Sequence, residues 1–186
     1  MRAASQWRVR PNALPAIRRR CRASCPSTEF RTHGKFRVNA NHKLLDIWLL
    51  AQCADCGDTV KLTVLERTHV RSIDPDALEA FHGNSVAHAA RLLTDPRVAQ
   101  RNGITLDWAD AWSVDMEPAE LPKADILDVS VHFTHRIPLR TTTVIATGLG
   151  LTRGEVIRHI EAGRLTSEQK LSGRAARDFS FVLRWE

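Results

Sequence analysis

Between residues 36 and 65 apolar and polar side chains alternate with the period of a β-strand. Phe36, Val38 and Ala40 alternate with Arg37 and Asn39, Asn41-His42-Lys43 supplies a turn, and Leu45, Ile47 and Leu49 resume the alternation, which predicts a hairpin. Gly57 permits a tight turn, after which Val60, Leu62 and Val64 share one face of a further strand over residues 59–65.

Residues 73–103 change period. Asp74-Pro75 places an N-cap and a first-turn proline at a helix start, with Leu78 and Phe81 on one face and Gly83 as the stop. Asn84 is placed to cap a second helix that turns Val86, Ala89, Ala90 and Leu93 inward, and Asp95-Pro96 and Gly103 repeat the start and stop signals. His82 and His88 read as surface or helix-end histidines rather than catalytic ones. Residues 108–123 lack periodicity and read as a loop or linker with a short strand at most, while Trp48 and Trp112 read as core residues. Alternation returns over 126–135, where Leu127, Val129, Val131 and Phe133 share a face. Two short helices joined by a glycine-bearing turn account for residues 139–164. Thr152 and Glu155 form a capping box, Val156, Ile157 and Ile160 a buried stripe, and Gly163 the left-handed residue past the helix end. A final strand over 179–185 aligns Phe179, Phe181, Leu183 and Trp185, and the first residues, 7–20, read as an extended basic lead broken by Pro11 and Pro15. The fold class is α+β.

Charge divides the chain differently from hydropathy. Residues 1–72 carry a net +9, residues 73–136 a net −6 and residues 137–186 a net +3. The expected organisation is therefore a basic β module over 1–72, an acidic helical segment and strand over 73–136, and a basic helical-pair module over 137–186. A basic module commonly marks a polyanion partner, nucleic acid above all. The basic N-terminus lacks the apolar run of a signal peptide, and no stretch is long enough to span a membrane, so no membrane partner and a reducing cytoplasm are expected.

The chain has four cysteines, in two close pairs, Cys21-Arg-Ala-Ser-Cys25 and Cys53-Ala-Asp-Cys56. Two short knuckles that each supply two thiolates make a tetrahedral zinc site, and such a site, with no position open to water, is structural. Cys21, Cys25, Cys53 and Cys56 are the candidate ligands, with His33 and His42 as the residues able to replace one of them. Two reduced buried pairs, or two disulfides, are the alternatives. Strand, turn, strand, knuckle, strand is the order of a zinc ribbon.

The run Leu149-Gly-Leu-Thr-Arg-Gly-Glu-Val-Ile-Arg-His-Ile-Glu-Ala-Gly-Arg164 resembles the opening helices of the S-four-type RNA-binding domain. That resemblance implies RNA contacts from Arg140, Thr152, Arg153, Arg158 and Arg164. This chain continues Leu165-Thr-Ser-Glu where that family carries Val-Asn-Gly. The same helices also resemble the helix-turn-helix of excisionase-type DNA-binding regulators. Over most of its length, with Phe36-Arg-Val-Asn-Ala-Asn, Leu45-Asp-Ile-Trp-Leu, the second knuckle and Leu62-Thr-Val-Leu-Glu-Arg67, the chain resembles a bacterial family catalogued as domain of unknown function 1062, which implies an architecture and no activity.

A structural zinc protein that binds structured RNA, ribosomal or transfer, through phosphate and shape contacts is the expectation that follows. Arg18, Arg19, Arg20 and Arg37 join the C-terminal residues as candidate contacts. DNA binding, or a protein partner docked on the acidic middle segment, are the alternatives. No Gly-x-Ser-x-Gly elbow, phosphate-binding glycine loop or His-Glu-x-x-His is present, so no enzyme is expected and no residue is given a catalytic role.

Overall fold

The computed structural model describes residues 1–22 and 25–185, so the interior of the first knuckle, residues 23 and 24, lies outside the described residues. In chain order the strands are β1 (Arg2–Pro11), β2 (Ala16–Arg18), β3 (Glu29–Arg31), β4 (Phe36–Asn41), β5 (Leu44–Cys53) and β6 (Thr59–His69). Helices α1 (Pro75–His82), α2 (Val86–Thr94) and α3 (Pro96–Asn102) follow, then β7 (Thr105–Asp107), β8 (Trp112–Glu117), β9 (Ile126–Phe133) and β10 (Leu139–Arg140). The chain ends with α4 (Thr141–Leu149), α5 (Arg153–Glu161), β11 (Leu165–Thr166), β12 (Arg174–Ala175) and β13 (Phe179–Arg184). The protein is α+β and falls into two compact units, Met1–Asn12 with Trp112–Glu186, and Ala13–Ala111.

The first unit is built on a five-stranded sheet in the order β11-β13-β9-β1-β8, with β1 parallel to β9 and the other pairs antiparallel. One face is apolar because every second residue is: Ser5, Trp7 and Val9 of β1, Leu127, Val129 and Val131 of β9, and Phe179, Phe181 and Leu183 of β13 are all buried. Helix α4 closes on that face through a glycine. A Cβ on Gly148 would stand 2.3 Å from the Trp7 ring, so only glycine lets the helix approach this closely. Trp7 meets Phe181 edge to face at 5.4 Å, and its indole N–H donates to Ser5 Oγ at 3.1 Å, which satisfies the polar atom of the buried ring. Helix α5 begins at the expected capping box, with the Glu155 N–H donating to Thr152 Oγ1 at 3.2 Å and the Thr152 N–H to Glu155 Oε2 at 2.7 Å. Of its expected stripe, Val156 is buried, Ile160 is half-buried and Ile157 is exposed.

The second unit holds the hairpin. Strand β5 pairs along its whole length with β6 on one side, and with β4 and then β3 on the other, and the sheet continues through β2 to β7. Ile17, Phe30, Leu45, Ile47, Leu49, Leu62 and Val64 make the inner face, and Phe81, Ala89, Leu93 and Ile104 from the helical stretch pack into the same cluster. Helix starts fall where the sequence puts them in two cases of three: Asp74 and Asp95 cap α1 and α3 with their side chains. Helix α2 is capped by Ser85 instead, and Asn84, at φ 52°, turns its side chain to accept the Phe36 N–H at 2.7 Å. Val86 is exposed rather than inward, while Ala89 and Leu93 point into the core. Asn102, at the end of α3, pins the helix to β6 by accepting the Thr63 N–H at 2.7 Å and donating to the Thr63 carbonyl at 3.0 Å.

The fold departs from the sequence pattern at several places. The basic lead over 7–20 holds the end of β1, flanked by β8 and β9 with Arg8 and Arg10 on the open face while Trp7 and Val9 are buried, and the whole of β2, paired with β3 and β7. Residues 108–123 contain a full edge strand, β8, paired with β1 over residues 112–117. Trp48 and Trp112 are half-buried rather than core. The stretches 1–72, 73–136 and 137–186 are not the compact units, because backbone pairing ties residues 2–11 to residues 112–133, and β13 to β9. The charge pattern dissolves with them. Ala13–Ala111 carries 14 basic and 11 acidic residues and the remainder 13 and 10, a net +3 in each unit. His88 is no surface residue either: it is 9 % exposed and wedged edge-on against Phe81 and Phe36, with Arg91 Nη2 2.9 Å from its Nδ1. Burial first, and then the Arg91 charge, hold its pKa below the usual histidine value.

Two predictions follow from this packing. Gly148→Ala should destabilise by about 1–3 kcal/mol through overpacking against Trp7, whereas Gly154→Ala in the open first turn of α5 should stabilise by about 0.4–1 kcal/mol; urea unfolding of both variants reads the opposite signs. Because the native His88 resists protonation, the unfolded chain takes up the proton first. Stability should therefore be full above the unfolded pKa of about 6.5 and decline as pH falls from there towards the lower native value. Urea midpoints measured from about pH 8 to about pH 5 should show that decline, and His88→Leu should flatten it.

Candidate metal centre

The four cysteines, 28 to 35 positions apart across the two pairs, converge in the second unit. Cys21 lies beyond β2, in the connection to β3, where its N–H donates to the Ser27 carbonyl at 3.0 Å and extends the β2–β3 pairing. Cys53 ends β5 opposite Phe30 of β3. A tight turn then brings Cys56 back: the Cys53 carbonyl accepts the Gly57 N–H at 3.1 Å, and Gly57 sits at φ +72°, where a glycine is favoured. The Cys53 N–H donates to the Asp58 carbonyl at 2.8 Å, which closes the knuckle.

All four sulfurs lie within 4.8 Å of one another. Cys21 Sγ is 3.6 Å from Cys56 Sγ, and Cys25 Sγ is 3.9 Å from Cys53 Sγ. A disulfide needs about 2.05 Å, so these are free thiols. Four thiolates about 2.3 Å from one zinc ion stand about 3.8 Å apart at the corners of a tetrahedron, which is the spacing of these two pairs. The geometry is compatible with a zinc site. The group consists of the four cysteines, and neither His33 nor His42 belongs to it.

The local backbone favours thiolate. The N–H of Cys56, then that of Asp55, and the Ser27 hydroxyl all serve Cys53, whose pKa is lowered to about 6 against the opposing effect of burial. At Cys25 the Ser27 N–H acts in the same direction, but burial and the neighbouring thiols of Cys53 and Cys56 outweigh it and leave that thiol raised. Ser27 is buried and was not singled out in the sequence, where its only signal is its place two residues after Cys25. Cys21 and Cys53 also belong to the apolar cluster of the unit, so the site is anchored in the core on one side and reaches solvent at Cys56.

The basic residues expected to contact nucleic acid are shared between the two units. In the second unit Arg18 is engaged, with Nη2 2.8 Å from Asp107 and Nη1 2.8 Å from Glu29. Arg19 and Arg20, with Arg22 and Lys61, line a cleft of about 330 Å³. Arg37 lies opposite Trp48 on the outer face of the sheet, where Lys61 Nζ stands 5.1 Å above the indole. Lys61 is not legible in the sequence because only the folding of the sheet brings β6 beside the β2–β3 connection, whereas Arg22 stands two residues from Arg20 in the chain. In the first unit Arg140, Arg153 and Arg158 are exposed, and Arg164 is half-buried. Thr152 is occupied by its capping box.

Protein purified without chelator should carry one divalent metal ion per chain by elemental analysis, and Cys21→Ser and Cys53→Ser should each lose most of it. Retention of a full equivalent by Cys21→Ser or Cys25→Ser would defeat the four-thiolate centre. Because protons compete with metal for thiolate, occupancy should fall on acidification.

No curated protein and no solved structure matches the chain. A family model matches residues 38–171, a span that holds Cys53 and Cys56 but not Cys21 or Cys25. By that match the chain belongs to the family described as Protein of unknown function (DUF1062).

Proposed function

We propose that this is a zinc-containing nucleic-acid-binding protein without catalytic activity, that structured RNA is its target, and that it grips the target through phosphates and shape. The observation that carries this is the cleft beside the first knuckle. Arg19, Arg20, Arg22 and Lys61 line it against one acid, Asp58, and none of the four cations is in an ion pair among the described residues. Unpaired cations that converge at one concavity attract phosphates and release counterions on binding. Three of them flank Cys21, so a zinc ion held by the four thiolates would fix the loop that presents them. Trp48, with Arg37 opposite it and Lys61 Nζ 5.1 Å above its indole, extends the cationic surface onto the adjoining sheet face.

The S-four-like helical pair is the second element. Strand β11, which follows Gly163, joins β13 within the large sheet instead of forming a free wing, and this supports RNA over the excisionase-like DNA alternative. A protein partner docked on the acidic stretch has less support, since the acids of residues 73–136 are divided between the two units.

Gel-shift titration of a transfer RNA or a ribosomal RNA fragment should show affinity that falls steeply with salt. Replacing Arg19, Arg20 and Arg22 by Ala together should lower the slope of log K against log salt by about 2–3. Absence of salt-sensitive binding to any structured RNA would end this proposal, and partners recovered equally after nuclease treatment would favour protein interaction.

A further inference from the structure

A second concavity, in the first unit and far in sequence from the cysteines, has the chemistry of an oxyanion site. It measures about 310 Å³ and is lined by Thr141 at the start of α4 and, from the 169–179 segment, chiefly by Lys170, Arg174 and Arg177, with no carboxylate among its lining residues. Four features make it a built site. Thr141 is 4 % exposed, yet its hydroxyl makes no hydrogen bond among the described residues while the residue lines the cavity. The N-cap of α4 is Arg140, which has no acceptor to offer, so no side chain caps the first turn; the Thr141 N–H is taken by a backbone carbonyl, and the positive end of the helix dipole lies beside the cavity. Arg140 and Arg174 stand directly opposite each other in the β10–β12 ladder, an arrangement of like charges that is unfavourable unless an anion lies between them. Neither arginine, nor Lys170 or Arg177, is in an ion pair among the described residues. Of the two acids next to this set in sequence, Glu168 is not among the lining residues, and Asp178 is turned elsewhere: it accepts the Phe133 N–H at 2.8 Å and lies 3.1 Å from His132 Nδ1.

The segment is also held in place. The Gly173 carbonyl accepts the Thr141 N–H at 3.1 Å, Ala175 pairs with Leu139, and Leu171 is buried. The cations are therefore positioned over the helix start by backbone bonds rather than by flexible side-chain reach alone. A tetrahedral dianion fits the cavity with room to spare, and a helix N-terminus with flanking cations is the usual way to bind one.

We propose that this cavity binds a phosphate group, whose oxygens accept from the Thr141 hydroxyl beside the N-terminus of α4 and whose charge is met by Lys170, Arg174 and Arg177. The site stands on this geometry alone and does not require nucleic acid to be the partner. The probe is inorganic phosphate, titrated into the full chain at constant ionic strength while the amide resonances of Thr142 and Thr143 are followed by NMR. Saturable shifts at those two amides are expected, absent when chloride replaces phosphate. Arg174→Gln, at an exposed position, should weaken binding about tenfold, and Thr141→Val, which keeps the buried volume, should weaken it without altering the rest of the spectrum. Unmoved Thr142 and Thr143 amides, equal shifts with chloride, or unchanged affinity in Arg174→Gln would overturn the proposal. Competition against phosphate by RNA oligonucleotides with and without a 5′-phosphate then identifies the source. Displacement only by the phosphorylated oligonucleotide assigns a terminal monoester, displacement by both assigns the backbone diester, and in either case the site stands. Displacement by neither, with phosphate still bound, assigns the site to a small phosphorylated molecule and counts against RNA as its occupant, whereas the RNA proposal itself fails only in the gel-shift assay.

Discussion

The central constraint is that β1 and β8 are antiparallel neighbours although the whole of the second unit lies between them in sequence. Pro11 pairs with Trp112, so the chain leaves the five-stranded sheet and returns to it at the same rung. Closing a loop of about 100 residues costs on the order of 4 kcal/mol if the loop is flexible. The inserted unit removes most of that cost by closing on itself. Its own first and last strands, β2 and β7, pair with Ala16 opposite Asp107, so once it is folded only a few residues remain to be closed on each side. Both sheets thus depend on ladders that join the two ends of the same insertion.

That constraint also explains what could be read from the sequence and what could not. Local signals held: Asp74-Pro75, Asp95-Pro96 and the Thr152–Glu155 box mark helix starts with side-chain bonds to nearby N–H groups, and the hairpin of β4 and β5 is set by alternation and a short turn. The alternation of β1 was equally present, with Ser5, Trp7 and Val9 on one side, but its partners lie more than 100 residues away and nothing nearby marks it as a strand. Asn84 lost the cap to Ser85 because its amide is engaged by the Phe36 backbone across the unit. The polarity of His88 predicts a surface position, whereas two aromatic edges and Arg91 make a place for a neutral imidazole in the core.

The cysteines were legible because metal-ligand spacing is a short-range property: each knuckle is written within a few residues, and only the meeting of the two knuckles is tertiary. The cation clusters were not legible for the opposite reason. Net charge along the chain suggested a basic, an acidic and a basic stretch, yet each folded unit carries the same small excess. Whether an arginine is available depends on what stands next to it. Arg18 is neutralised by Asp107 and Glu29, while Arg19 and Arg20, its immediate neighbours, are not.

The division between Arg18 and its neighbours bears on the purpose of the metal centre. Beyond Arg18 the described part of the β2–β3 connection is joined by backbone bonds from the Arg19 N–H to the Thr28 carbonyl and from the Cys21 N–H to the Ser27 carbonyl, and Cys21 and Cys25 bring its thiols to those of the second knuckle. Most of the unit's core comes from β4, β5, β6 and the helical stretch, Cys53 of β5 included, with Ile17, Cys21 and Phe30 joining it. A metal ion that bridges the first knuckle to the second would therefore order Arg19, Arg20 and Arg22 more than it would hold the unit together, and it would do so without an open coordination position at which chemistry could occur. In such an arrangement a structural metal would serve binding directly: by fixing the backbone on either side of Cys21 it would spend coordination energy in advance on the conformational entropy that a loose cationic loop would otherwise lose on meeting a ligand.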